Sequence, residues 1–304
     1  MLRKLLCLAV LVAATPNLVS AQVKLEQKYP EGAVSTTETE ATTNQTLVLA
    51  GMNVETKSQT FAVGSSTVGK RAADGSLEIV EKTESFQSEI SLPGGLAISF
   101  DSSNPDKKAS NPLLEPIVDS LRAITKNPIT LKLDANNKLV GASLPEGEYE
   151  KLTGMAKDQL SPEWLKKGIE RHMAHLPSEA VKVGDKWEYS HEVNPGEGQV
   201  LTFRTQYEYA GTVEKDGKTL DKITSKVLDV TFAINGNPML QVKNCELKVQ
   251  DSSGTCLFDR KLGNTVSRAS KTQIVGPLTL VINNMEFPGS LDLTMEEKVA
   301  NKRK

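Results

Sequence analysis

The chain has 304 residues, of which 38% are hydrophobic, 24% charged and only 5% aromatic, with a formal net charge of −2 at pH 7. That near-neutral balance sets up no global field toward nucleic acid or anionic lipid, so neither is an expected partner. The length permits one large or two ordinary domains.

Residues 1–21 read as a secretory signal peptide. Arg3 and Lys4 form a positive start, and residues 5–14 form an apolar run of about ten residues, too short to span a bilayer as a permanent helix. Pro16 and Asn17 break the run, and Val19-Ser20-Ala21 offers the small-x-small pattern of a cleavage site, so cleavage is expected after Ala21. The mature chain is then periplasmic or extracellular, and it loses two positive charges with the leader. Cys7 lies near the start of the apolar run and Gln22 follows Ala21, an order that does not suit a lipid anchor. No second apolar run reaches transmembrane length, so no transmembrane segment is expected.

From residue 22 the pattern is mainly β. Thr, Val, Ser, Leu and Ile alternate with polar residues and are punctuated by Gly, Asn and Asp. Runs 24–29, 36–49, 55–63, 77–90 and 96–100 read as strands, with Asp74-Gly75 as a hairpin signal. Strand 36–49 is polar on both faces. Helical signals follow: Leu114, Ile117, Leu121 and Ile124 make a stripe across 112–125, with Pro116 in its first turn. Residues 148–159 are a weaker candidate. Ser161 then supplies an N-cap with Pro162 at the first helical position, and Leu165, Ile169, His172 and Leu176 trace one face before Pro177.

The β pattern resumes at 186–191, 200–213, 220–234, 240–250 and from 255 onward, with Asp216-Gly217 as a second hairpin signal. The basic end, Asn301 to Lys304, reads as a frayed, solvated tail. Residues 67–75 echo 212–217, and 131–143 echo 257–270, which suggests an internal repeat.

Cys245 and Cys256 are the candidate disulfide, admissible in an exported chain. A turn centred on Ser252-Ser253 places them on one face but about four residues out of register, roughly 13 Å. A disulfide needs Cα atoms within about 7 Å, so the bond depends on a bulge or longer loop shifting that register.

Few residues carry chemistry. His172 and His175 sit three apart on a helix and could meet one metal, but no third ligand stands at a recognisable spacing. Packing and helix-end placement account for them. Residues 64–70 match the glycine and lysine spacing of a phosphate loop, yet Arg71 replaces the required Ser or Thr. No nucleophile elbow is present, and Asp101-Ser102-Ser103 and Asp251-Ser252-Ser253 read as turns. Asn44-Gln45-Thr46 matches a glycosylation sequon. Trp164, Trp187 and Tyr189 read as core, with a hydrophobic groove as their other role. No catalytic, cofactor-binding or metal residue is assigned, and no cofactor is expected.

Residues 176–187, LPSEAVKVGDKW, resemble the L-P-x-x-x-V-x-V-G-D-x-W stretch of an uncharacterised family of exported bacterial proteins. Gly254, Phe258, Asp259 and Gly263 resemble that family's later hairpin, and Phe100-Asp101-Ser102 an earlier turn. The resemblance implies no catalytic residues. More distantly, the chain is similar to periplasmic lipoprotein carriers, which implies a curved sheet embracing helices and a concave apolar face for acyl chains. The polar strand 36–49 departs from that pattern.

The expected fold is therefore α+β: two related, antiparallel, curved β-sheet regions flanking a central helical segment. The halves are 22–143, with a helix near 112–125, and 144–304, with helices at about 148–176 ahead of the second β region. The expected function is a non-enzymatic binding or envelope-interaction protein, with a hydrophobic ligand or an envelope protein as partner. The alternatives are a hydrolase using carboxylates or a His-bound metal, and a structural cell-surface protein that pairs through exposed strand edges such as 36–49.

Overall fold

Long alternating runs of Thr, Val, Leu and charged residues become strands of up to nineteen residues. The structure is a computed structural model that describes residues 22–196, 199–235 and 240–303; the leader, with its cleavage site and Cys7, lies outside the described residues. In chain order the elements are β1 (Val34–Leu49), β2 (Met52–Val68), β3 (Leu77–Ser91), β4 (Ala97–Asp101), α1 (Glu115–Lys126), β5 (Ile129–Leu133) and β6 (Leu139–Ser143). There follow α2 (Gly154–Gln159), α3 (Pro162–Met173), β7 (Lys186–Gly196), β8 (Gln199–Lys215), β9 (Lys218–Ile234), β10 (Leu240–Cys245), β11 (Lys248–Asp259), β12 (Asn264–Ile282) and β13 (Met285–Arg303).

The strands form one antiparallel sheet in the order β6-β5-β3-β2-β1-β13-β12-β11-β9-β8-β7, with β4 on β3 and β10 on β12. This corrects the α+β expectation of two sheet regions flanking a helical segment. Strand makes up 60% of the structure and helix 13%, and the helices do not separate two sheets. The joint is β13, which pairs with β1 from Ser35↔Arg303 to Leu49↔Gly289, so the last strand continues the sheet begun by the first. The basic end is accordingly not a frayed tail: Asn301 and Arg303 are paired strand residues. Residues 36–49 are no exposed edge either, because β1 is paired along its length by β2 and β13.

The sheet curls. Leu201 and Phe203 on β8 share a core with Leu47 on β1 and Leu291 and Leu293 on β13, strands well separated in the sheet order. Helix α3 packs on β6 and also touches β7, bridging the two edge strands. Its start follows the expected chemistry, since the Ser161 hydroxyl accepts from the Trp164 amide at 3.4 Å.

Asp251-Ser252-Ser253 is not a turn. The triplet lies inside β11, where Ser252 Oγ accepts the Val227 amide at 2.9 Å and bonds Thr272 at 3.3 Å. The break falls instead at Glu246-Leu247, between β10 and β11. Cys245 thus stands opposite Leu278 and Cys256 opposite Arg268, ten positions apart on β12, or roughly 33 Å at about 3.3 Å per residue. Both thiols are free.

Candidate functional site

The chain's entry into the fold shapes the site. Residues 23–29 run as an arm across the mouth of the curl, held by two distant stretches. Val23 and Val181 exchange backbone hydrogen bonds of 2.8 and 2.9 Å. Leu25, 2% exposed, is buried with Val181, Tyr209, Ile223, Cys256 and Phe258. Further on, the Lys28 amide donates to the Gly263 carbonyl at 2.8 Å, and Lys28 Nζ reaches the Arg260 and Lys261 carbonyls.

The residues quoted from those stretches have local roles. Asp259 Oδ1 accepts the Leu262 amide at 3.0 Å and closes the β11–β12 turn. Gly263, at φ +62°, turns left-handed beneath Lys28, whose side chain leaves no room for a Cβ there. Asp185 Oδ2 accepts the Lys182 amide at 2.9 Å, and Gly184 and Asp185 pair with the backbone of Tyr209. Below this turn, Tyr209 and Arg260 both donate to the buried Asp221.

Behind the arm the concave face holds a cavity of about 880 Å³. Its apolar lining comes from Leu25 and Tyr29 of the arm, Ile169 and Met173 of α3, and Ile129 and Leu131 of β5, which lie on the sheet beside Glu81 and Ile79. From β13 to β3 the floor is mainly polar, and strand register orders it in rows. Arg303, Ser35, Ser66 and Glu81 form one row across β13, β1, β2 and β3. Asn301, Thr37, Gly64 and Thr83 form the next, and Val299 and Thr39 follow. All of these residues line the cavity.

Exposed Glu26, Lys82 and Lys138 also line the cavity, and the more buried charges there differ in how they are satisfied. Arg268 and Glu297 neutralise one another at 2.8 Å. Arg303 and Glu81 form no ion pair with each other or with any other group among the described residues. Arg303 donates to Ser35 Oγ at 3.3 Å and the Leu262 carbonyl at 2.8 Å, and burial lowers its pKa. Glu81 makes no side-chain hydrogen bond among the described residues, and burial raises its pKa. The phenol of Tyr29, pushed up to about 12 by burial, feels both Arg303 and Glu81.

The histidines gather at the end of α3. His172 Nδ1 accepts from Arg268 at 3.0 Å, which leaves the proton on Nε2 of a neutral ring. That ring is surrounded by protein, yet it keeps an exposed face because the face is cavity wall. Burial, aided by Arg268 and Arg171, holds its pKa down at about 3. His175 is fully engaged: its Nδ1 bonds the His172 carbonyl and its Nε2 bonds Thr265 Oγ1, both at 2.8 Å. Burial and then Arg268 lower it to about 4. His191, stacked between Tyr189 and Phe203, falls to about 4 by burial and the charges of Arg171 and Arg268. Among the described residues no three His, Cys, Asp or Glu side chains are grouped to hold a metal. The guanidinium at His172 Nδ1 already occupies the lone pair a metal would need.

Sequence reasoning placed His172 and His175 together but passed over Arg303, Glu81 and Tyr29. The phosphate-loop look-alike is strand β2 and its exit, and Ser66 from it serves as cavity floor. Asp101 does form the expected turn, accepting the Ser103 amide at 2.8 Å.

A family model described as a family of unknown function (DUF6263) matches residues 74–217, from the turn before β3 to the turn after β8. No curated protein matches. Among solved structures, lipovitellin is 9% identical with a TM-score of 0.41, over 91% of this chain. The chain spans only 26% of the lipovitellin chain. An outer-membrane channel from Pseudomonas putida is 8% identical, TM-score 0.27, over 91% of this chain and 98% of its own. An exported protein of YmcC-like fold from Bacteroides fragilis is 10% identical, TM-score 0.21, over 89% and 98%. At such scores the functional reading comes from this chain's own residues. No described helix is long and apolar enough to cross a membrane.

Proposed function

We propose that this is an exported, non-enzymatic binding protein that holds a small amphiphilic ligand on its concave face. One observation carries the reading: a cavity of about 880 Å³ with apolar walls and a polar, charged stretch of floor, within the usual span of ligand pockets. A ligand with an apolar body and a polar head satisfies both surfaces at once. The curled sheet supplies the rigid floor, while α3 and the arm supply a roof made of few residues. Export rests on residues 1–21, and N-terminal sequencing of protein from the native host should begin at Gln22.

A dansylated fatty acid tests the binding reading. Its fluorescence should rise and shift to the blue on titration with protein, saturating at one site. Thr39→Trp, which fills the floor, should abolish that response, whereas Glu40→Trp on the opposite face of β1 should preserve it. An unchanged response in a correctly folded Thr39→Trp protein would place the probe elsewhere and sink the reading.

A further inference from the structure

The floor of the cavity carries information that a simple acyl pocket would not need. Arg303, Ser35, Ser66 and Glu81 lie side by side on four neighbouring strands, with all four side chains on the concave face. The outer two are opposite charges about 14 Å apart at the backbone, three strand spacings of about 4.8 Å each. Their long side chains bring the charged tips closer than that, and two hydroxyls fill the space between. Tyr29 lies near both from above. Nearby, Arg268 and Glu297 compensate one another at 2.8 Å. Arg303 and Glu81 have no such partner: Arg303 donates to a hydroxyl and a carbonyl, and the Glu81 carboxyl makes no hydrogen bond among the described residues.

Both side chains are half-buried and open to the cavity, so their partial desolvation is not offset by a protein partner and a ligand can complete them. A ligand with an acidic group for Arg303 and a hydrogen-bonding ammonium for Glu81 would complete both ends of the row. Ser35 and Ser66 would face the link between its two charges, and its apolar part would lie against Ile129, the strand neighbour of Glu81, and Ile169 and Met173 of α3. We infer that the cavity selects zwitterions, seating the anionic group on Arg303 and a primary ammonium on Glu81. This rests on the reading of the cavity as a ligand site and adds the class of head group. Two sources carry that chemistry, an aminophospholipid with a single acyl chain and a short apolar peptide.

Calorimetric titration below the micellar concentration tests it with three probes: myristoyl lysophosphatidylethanolamine, myristoyl lysophosphatidylglycerol and the dipeptide Leu-Leu. The first two share chain and phosphate and differ in the ammonium. The ethanolamine lipid should bind about tenfold or more tightly, the size expected of one charge-assisted hydrogen bond in a half-buried site. Glu81→Gln should erase that preference by weakening the ethanolamine lipid alone. The variant should fold normally, because the carboxyl it replaces has no protein partner; circular dichroism checks this. Arg303→Lys, which keeps the charge but not the fork, should weaken both lipids. Leu-Leu binding that is lost in Glu81→Gln would identify a peptide source and support the zwitterion reading. Equal affinity for the two lipids, or a preference that survives Glu81→Gln, would overturn it while leaving the cavity as a site. Failure of all three probes together with the dansylated fatty acid would overturn the cavity reading itself.

Discussion

Strand β1 runs beside β13 for almost all of its length, yet the inner face they share changes character from one end to the other. At the β1–β2 hairpin end it carries Leu47, Leu49, Leu291 and Leu293, which are packed into a core with Ile274, Leu278, Leu280 and Phe203. At the arm end it carries Ser35, Thr37, Thr39, Val299, Asn301 and Arg303, which line a cavity. One ladder of backbone hydrogen bonds therefore supports two kinds of surface. The curl closes over the apolar end, where burial of leucine and isoleucine stabilises the fold. The polar end has little of that stabilisation to gain from closure and is spanned by an arm and a helix. The comparison teaches that scaffold and site can be segments of the same two strands.

The contrast can be broken most forcefully at the apolar end. Ile274 has no exposed surface, and Ile274→Ala should destabilise the protein by about 2–5 kcal/mol through lost burial and the cavity left behind. Thr39→Ala at the other end should cost less than about 0.5 kcal/mol. Urea unfolding of the two variants checks both values, and comparable losses would erase the distinction between the ends.

A second prediction concerns the arm. Gly263→Ala puts a side chain at φ +62°, a strain of roughly 1–2 kcal/mol, and directs it at Lys28. Hydrogen exchange should quicken at residues 23–28, while the apolar end keeps its protection. Uniform loss of protection across the sheet would show that the arm is not a separate unit.

Acid provides a smaller effect with a definite sign. The folded protein holds His172 at about 3, and His175 and His191 at about 4, against an ordinary 6.5. The unfolded chain therefore takes up protons first as pH falls from 6.5, and stability contributed by the neutral rings is lost progressively toward pH 4. Glu81, whose pKa is raised, works in the opposite sense. Glu115, held at about 2 by the Ala109 amide and then Arg122, adds acid lability below its ordinary 4.5. Melting temperatures across this interval should fall in the native protein and fall less in His175→Asn. The smallest effect is at the cysteines: a reducing agent should leave the melting temperature unchanged, because Cys245 and Cys256 are free.

Much of the scaffold was legible in the sequence. Alternation located β1, β3, β8 and β9 closely, and Pro116 and the Ser161-Pro162 pair located α1 and α3. Pairing was not legible, because β1 meets β13 across nearly the whole chain and no local signal announces such a partner. That is why one sheet read as two regions, and why the basic end read as a tail. Asp251-Ser252-Ser253 misled for a different reason: its polar residues satisfy neighbouring strands, as Ser252 does for Val227, and do not bend their own. The site shared this fate. Arg303 and Glu81 are ordinary charges in sequence and become a row only through the register of four strands. The histidines were visible as a pair, but their neutral, satisfied state depends on Arg268 and Thr265, almost a hundred residues away.

The central claim is that the polar end of β1 and β13 receives a ligand while the apolar end is scaffold. Photo-crosslinking with a diazirine-bearing fatty acid, mapped by peptide mass spectrometry, tests it most directly. Adducts should concentrate in residues 25–29, 35–39 and 169–173 around the cavity. Adducts concentrated instead near Leu47, Leu291 and Ile274, or on the outer face of β1, would contradict it.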